Sequence, residues 1–176
     1  MDCHLTPLDA GRMIGAMATE KHVLFVCTGN TCRSPMAEGL FRKAVESRSD
    51  FTVGSAGVAA RKGTPANPET VTLLKKLGVD LKGFTSRPLS HDLLREVTHV
   101  FAMTRGHLRT MEAAFPEHAD KFYLTCEFVE IPGEGVGMDV PDPIGMGRRA
   151  YEEVADVLDI AIPSIIAYID QTTKAE

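Results

Sequence analysis

Apolar positions along this chain switch repeatedly between two periods. Val23, Leu24, Phe25 and Val26 form a short unbroken apolar run, the pattern of a strand covered on both faces. Directly downstream, Met36, Ala37, Leu40, Phe41, Ala44 and Val45 fall at i, i+1, i+4, i+5, i+8 and i+9, which is one stripe of a helix. Ser34 opens that helix with Pro35 in its first turn, where a missing N–H costs nothing. The stripe predicts a helix packed on a sheet.

The alternation continues. Phe51 to Val58 reads as a second strand, with Gly54, Ser55 and Gly57 toward its end, and Gly63-Thr64-Pro65-Ala66-Asn67-Pro68 as a loop. Pro68 to Leu77 follows as a helix stopped at Gly78. After a connector over Phe84 to Pro88, Ser90 caps a short helix from Asp92 to Val97. Thr98 to Met103 is a strand covered on both faces, Arg105 to Phe115 a helix ending before Pro116, and Lys121 to Cys126 a fourth strand. Glu127 to Gly147 is then one long loop rich in Gly and Pro, a length that in a compact domain usually carries function. The last helix runs from about Gly147 to Asp170, with Val154, Val157, Leu158, Ala161, Ile162, Ile165, Ile166 and Ile169 as its core stripe. Pro163 within it removes a backbone hydrogen bond and predicts a kink or a break. Together these elements predict an α/β fold: a single-domain, open, parallel four-stranded sheet with helices on both faces and right-handed crossovers. Such sheets bind ligands at the carboxyl ends of their strands.

Composition narrows the picture. A chain of 176 residues that is 44% apolar can bury one full core without a second domain. Its net charge of −5, with no Lys/Arg run, argues against a nucleic-acid partner. The four cysteines, Cys3, Cys27, Cys32 and Cys126, are too sparse for a secreted disulfide scaffold and show no zinc-site spacing, so neither a metal nor a cofactor is expected. No apolar run near Met1-Asp2-Cys3-His4 suits a signal peptide or a membrane span, so a cytoplasmic protein without a membrane partner is expected; a monomer is favoured, with the oligomeric state left open. Residues 1–20 lack periodicity and read as a loosely ordered N-terminal extension ahead of one domain over 21–176.

Chemistry concentrates where the first strand meets the first helix. Cys27 and Arg33 bracket the five residues Thr28, Gly29, Asn30, Thr31 and Cys32, a spacing that closes a loop around one tetrahedral oxyanion. Loop N–H groups, the free N–H groups at the helix start and its positive dipole end would converge on that anion. The same field favours the thiolate form of Cys27, the nucleophilic form. Arg33 offers a planar fork matched to two phosphoryl oxygens. Asn30 suits a left-handed position and can bond back to the loop, while Ser34 can donate to the thiolate or cap the helix. The reading is phosphoryl transfer through a cysteine, without a metal. Thr28, Gly29, Asn30, Thr31, Cys32 and Ser34 are the phosphate-binding candidates. A leaving group needs a proton from elsewhere, and Asp139-Val140-Pro141-Asp142-Pro143 in the long loop offers two carboxyls.

Cys27 to Glu38, Cys-Thr-Gly-Asn-Thr-Cys-Arg-Ser-Pro-Met-Ala-Glu, resembles the signature loop of the low-molecular-weight protein tyrosine phosphatase family, and most of all its protein-arginine phosphatase branch. The likeness extends from about Lys21, in pattern, through Gly63-Thr64-Pro65-Ala66 and Phe101-Ala102-Met103. It implies a phosphocysteine intermediate on Cys27, oxyanion binding by Arg33, and Asp142 of Asp142-Pro143 as general acid. Cys32 is either a small loop-packing residue or, as the resemblance implies, the partner of Cys27 in a reversible protective disulfide.

Thr31 bears on the substrate. The resemblance implies Ile or Leu there in the tyrosine-directed branch and Thr in the arginine-directed one. Tyrosine-directed members also place aromatics after Asp-Pro and in the loop after the second strand, whereas Ile144 follows Pro143 here and Val58 to Asn67 holds no aromatic. Ile144 departs from the arginine branch too, where Phe is familiar. The expectation is a phosphatase of phosphorylated proteins directed to phosphoarginine, with a tyrosine phosphatase as the alternative. An arsenate reductase would need two further neighbouring cysteines, and after Cys32 there is only Cys126. A binding module without turnover would not need nucleophile, Arg and acid together.

Overall fold

The computed structural model describes residues 20–173. Apart from Glu20, the expected N-terminal extension, with Cys3, lies outside the described residues. In chain order the elements are β1 (Lys21–Cys27), α1 (Arg33–Ala44), β2 (Phe51–Gly57), α2 (Pro68–Lys76), α3 (His91–Glu96), β3 (His99–Ala102), α4 (Arg105–Ala114), a 3-10 turn (Pro116–Lys121), β4 (Phe122–Leu124), β5 (Glu130–Ile131), β6 (Gly135–Val136) and α5 (Arg148–Thr173). β1 to β4 form one sheet in the order β2-β1-β3-β4, every pair parallel.

The apolar run in β1 is explained by its central place, because alternate side chains face opposite sides of a strand. Val23, Phe25 and Cys27 enter a core shared with α1, α2 and α5. Leu24 and Val26 enter a second core, with Leu94 of α3 and Met111 of α4. Helices therefore cover both faces, as the pattern predicts. Phe25 meets Phe41 of α1 edge to face, with ring centroids 5.6 Å apart.

Three expectations change. α5 is continuous through Pro163 rather than broken there; Pro163 lies on the exposed face, where water can serve the freed carbonyl. Within the same stripe Val157 and Ile166 are only partly buried against the core. The stretch from Glu127 to Gly147 is not a plain loop, since β5 and β6 pair antiparallel across a turn over 132–134 with Gly133 at positive φ, and Ile131 is buried.

At the amino end of the sheet, Lys21 binds Asp50 at 2.9 Å and Asp170 at 2.6 Å. Arg48 binds the same two carboxylates, each at 2.7 Å. This network ties the start of β1 to the end of α5. The carboxyl ends of the strands lie opposite, and there the loops gather.

Candidate active site

β1 ends at Cys27 and α1 begins at Arg33, so the five intervening residues make the turn at the carboxyl edge of the sheet. The loop is held from within by Asn30, which is fully buried and left-handed at φ 54°. Its Nδ2 donates to Ser34 Oγ and Ser55 Oγ, both at 2.9 Å, and its Oδ1 accepts from the Arg87 N–H at 2.9 Å. Ser34 Oγ lies 3.0 Å from Cys27 Sγ. Of its two anticipated roles, Ser34 takes the one beside the sulfur; α1 has no side-chain cap, its N-cap position being Cys32.

From without, the loop rests on the end of β2. The Val58 and Ala59 N–H groups donate to the Cys27 and Thr28 carbonyls, each at 2.9 Å. A Cβ on Gly57 would stand 2.4 Å from the Thr28 oxygen, so only glycine permits this contact. At Gly29, by contrast, a Cβ would meet only Thr31 Oγ1, at 3.7 Å; its bareness leaves the backbone open to close approach.

Arg33 is buried, with 5% exposure, and reaches one distant segment, the stretch from Val140 to Asp142. Its Nη1 donates to the Val140 carbonyl at 3.2 Å and its Nη2 to Asp142 Oδ2 at 3.1 Å. The Asp142 side chain is 53% exposed and also accepts from the Ile144 N–H at 3.2 Å. Asp139 points elsewhere: its Oδ1 accepts from the Arg105 N–H of α4 at 2.8 Å. Of the two carboxyls in the long loop, Asp142 is the one on Arg33.

His107, in the first turn of α4, is a residue sequence reasoning missed. It is buried, with Nε2 2.8 Å from Thr28 Oγ1 and Nδ1 2.9 Å from Thr104 Oγ1. Burial, and then the Arg33 charge, push its pKa down to about 4, leaving a neutral ring that donates at one nitrogen and accepts at the other. Its only sequence signal was Thr104 three residues before it, a helix cap at the carboxyl end of a strand.

Cys32 is buried, its Sγ 3.6 Å from the Tyr151 hydroxyl of α5. Burial, and then that sulfur, push the Tyr151 phenol up. Cys27, Cys32 and Cys126 are free thiols. Thr31 is half-buried and lines an open groove of about 570 Å³ with Thr64, Pro65, Ala66, Asn67, Pro68, Val71 and Thr72, none of them aromatic. Ile144 is exposed. Among the described residues, His91, Glu117 and His118 bring three possible metal-ligand atoms within 4.8 Å of one another. They come from the start of α3 and from the 3-10 turn after α4.

A parallel α/β sheet that presents a buried cysteine and arginine in one strand-to-helix loop, with a carboxylate brought onto the arginine, defines a cysteine phosphatase. The chain belongs to the family described as low molecular weight phosphotyrosine protein phosphatase, whose model matches residues 22–175. A protein-arginine-phosphatase of Geobacillus stearothermophilus is 37% identical over 140 residues, covering 80% of this chain and 90% of that protein. A low molecular weight protein-tyrosine-phosphatase of Streptomyces coelicolor is 34% identical over 160 residues, covering 86% and 95%. Among solved structures, the low molecular weight protein tyrosine phosphatase from T. tengcongensis is 41% identical, with a TM-score of 0.77, covering 85% of this chain and 99% of that one. Among the described residues no helix is long and apolar enough to cross a membrane.

Proposed function

We propose that this phosphatase acts on phosphoarginine in proteins, with Cys27 as nucleophile, Arg33 as oxyanion ligand and Asp142 as general acid. The observation that carries the catalytic assignment is the Arg33 fork, which meets Asp142 at 3.1 Å while its own backbone closes the Cys27 loop. Cys27 attacks phosphorus in line; the P–S bond forms as the P–N bond breaks, and the Asp142 carboxyl protonates the departing guanidinium nitrogen. Arg33 and the amides of Thr28 to Ser34 hold the three equatorial oxygens as charge spreads over them. Asp142, now a carboxylate, takes a proton from the water that cleaves the P–S bond, releasing phosphate and the Cys27 thiolate.

Three observations support arginine as the side chain. Thr31 stands where the tyrosine-directed pattern has an aliphatic residue, the groove beside it holds no aromatic wall, and Asp142 is exposed enough to pair with an incoming guanidinium. Relatives named as protein-arginine-phosphatases favour this reading; those named for tyrosine favour the alternative. We further propose that Cys32, five residues from Cys27 in the same loop, protects it as a reversible disulfide partner, and that the enzyme works in the reducing cytoplasm, a reading supported by the three free thiols among the described residues. The domain spans 21–176, with residues 1–20 outside it.

The reading is tested by following a peptide mixture carrying phosphoarginine and phosphotyrosine with ³¹P NMR. The phosphoramidate signal should disappear first with the wild type and persist with Cys27→Ser. Faster loss of the phosphotyrosine signal, or turnover by Cys27→Ser, would refute it.

A further inference from the structure

We propose that the first turn of α4 is a strut that sets the position of Asp142 against the Cys27 loop, with His107 and Asp139 as its positioning residues. The inference rests on the reading of Asp142 as general acid. The two loops come from residues 27–33 and 139–142, and their direct link is Arg33, bound to the Val140 carbonyl and to Asp142. That link is the one a phosphoryl group must share, because the same guanidinium takes its oxygens. A second connection is needed to hold register once Arg33 is engaged.

The first turn of α4 and the two residues before it, Met103 to His107, supply it from both sides. His107 Nε2 holds Thr28 Oγ1 at 2.8 Å, so one end of the strut grips the residue after the nucleophile. The Arg105 N–H holds Asp139 Oδ1 at 2.8 Å, and the Val140 N–H donates to the Met103 carbonyl at 2.8 Å, so the other end grips the residues just before Asp142. The middle is stiff: Thr104 Oγ1 accepts from the His107 N–H at 3.1 Å as helix cap and meets His107 Nδ1 at 2.9 Å, while Met111 anchors the next turn in the core. Asp139 also sits at the positive end of the helix, where a carboxylate is favoured. A buried ring with both nitrogens engaged cannot tilt without breaking one bond, so movement at Thr28 and movement at Asp139 are coupled through one helical turn.

The test compares kcat/KM for phenyl phosphate, a poor leaving group that needs the acid, with 2,4-dinitrophenyl phosphate, a good one that does not. Asp139→Ala should lower kcat/KM on phenyl phosphate by on the order of 10-fold and on the dinitrophenyl ester by less than about 3-fold, as expected for an acid held slightly out of place. Asp139→Asn, which keeps an oxygen for the Arg105 N–H, should restore most of the loss. His107→Phe should show the same leaving-group selectivity, and the double variant should lose less than the product of the two single losses. Asp142→Asn is the reference. If it is selective and neither Asp139→Ala nor His107→Phe is, the strut is refuted while the acid stands. Equal loss on both esters in variants that still unfold cooperatively also refutes the strut. If Asp142→Asn itself shows no selectivity, the acid assignment falls and takes the strut with it.

Discussion

Thr31 carries the substrate question at the scale of single residues. Its side chain borders the groove beside the loop, and an aliphatic replacement would exchange a polar edge for an apolar one there. Thr31→Ile should shift the ratio of phosphoarginine to phosphotyrosine turnover toward phosphotyrosine by on the order of 10-fold, the range one apolar group brings to a pocket. Paired kinetics of the two variants measure it, and an unchanged ratio would remove Thr31 from the account. Cys27, Arg33 and Ser34 were legible as candidates because they stand at fixed spacing in one contiguous string, which folds into the turn from β1 to α1. Choosing Asp142 over Asp139 needed the family resemblance, since only the folded chain turns one carboxyl to Arg33 and the other to α4. His107 and Tyr151 were not legible as site neighbours, because each reaches the loop through a tertiary contact that no local spacing encodes.

Among the elements, the junction of β1, its loop and the end of β2 is the tightest part of the site. Gly57→Ala would bring a Cβ within 2.4 Å of the Thr28 oxygen and 3.0 Å of the Asn30 nitrogen, both backbone atoms that cannot move without reshaping the loop. The expected outcome is a loss of about 1–3 kcal/mol in stability together with weaker binding of inorganic phosphate, measured by denaturant unfolding and calorimetric titration. Wild-type behaviour in both would show that the loop tolerates displacement there. In sequence Gly57 read only as a strand-end glycine, because its demand comes from a loop some thirty residues away. The five helices were legible in position, and the cap read at Ser90 is joined by caps at Asn67 and Thr104, all of which accept backbone N–H groups; the 3-10 turn Pro116–Lys121 was not. Pro163 misled because the sequence marks a missing donor but not the exposed face on which its absence is tolerated. The β5–β6 hairpin has strands of two residues each, too short for any period to show.

For the molecule as a whole, the alternation of short apolar runs with helical stripes specified a parallel sheet covered on both faces, and the structure has that architecture. What the pattern left open was the charge network closing the far end. Asp50 and Asp170 are held well below the usual carboxylate range, chiefly by Arg48 with Lys21 adding to it. Carboxylates of this kind stabilise the fold above their ordinary pKa, near 3.8, and that contribution is lost as pH falls below it. His107 acts at higher pH. Its ring goes from an ordinary value of 6.5 in the unfolded chain to about 4 when buried, so between those values the unfolded state binds the extra proton and stability falls as pH falls. His99 is lowered by burial and adds to the same slope. The thermal unfolding midpoint should therefore fall from pH 7 to pH 4, and His107→Phe should flatten part of that decline. A wild-type midpoint independent of pH over this interval would contradict the buried neutral imidazole.

The central claim is that a cysteine, an arginine fork and a distant carboxyl form one phosphatase site directed to phosphoarginine. Its most direct test is the ratio of kcat/KM on two peptides of identical sequence, one carrying phosphoarginine and the other phosphotyrosine. A ratio clearly above one for phosphoarginine, with both activities lost in Cys27→Ser, is the predicted result; a ratio clearly below one would contradict it.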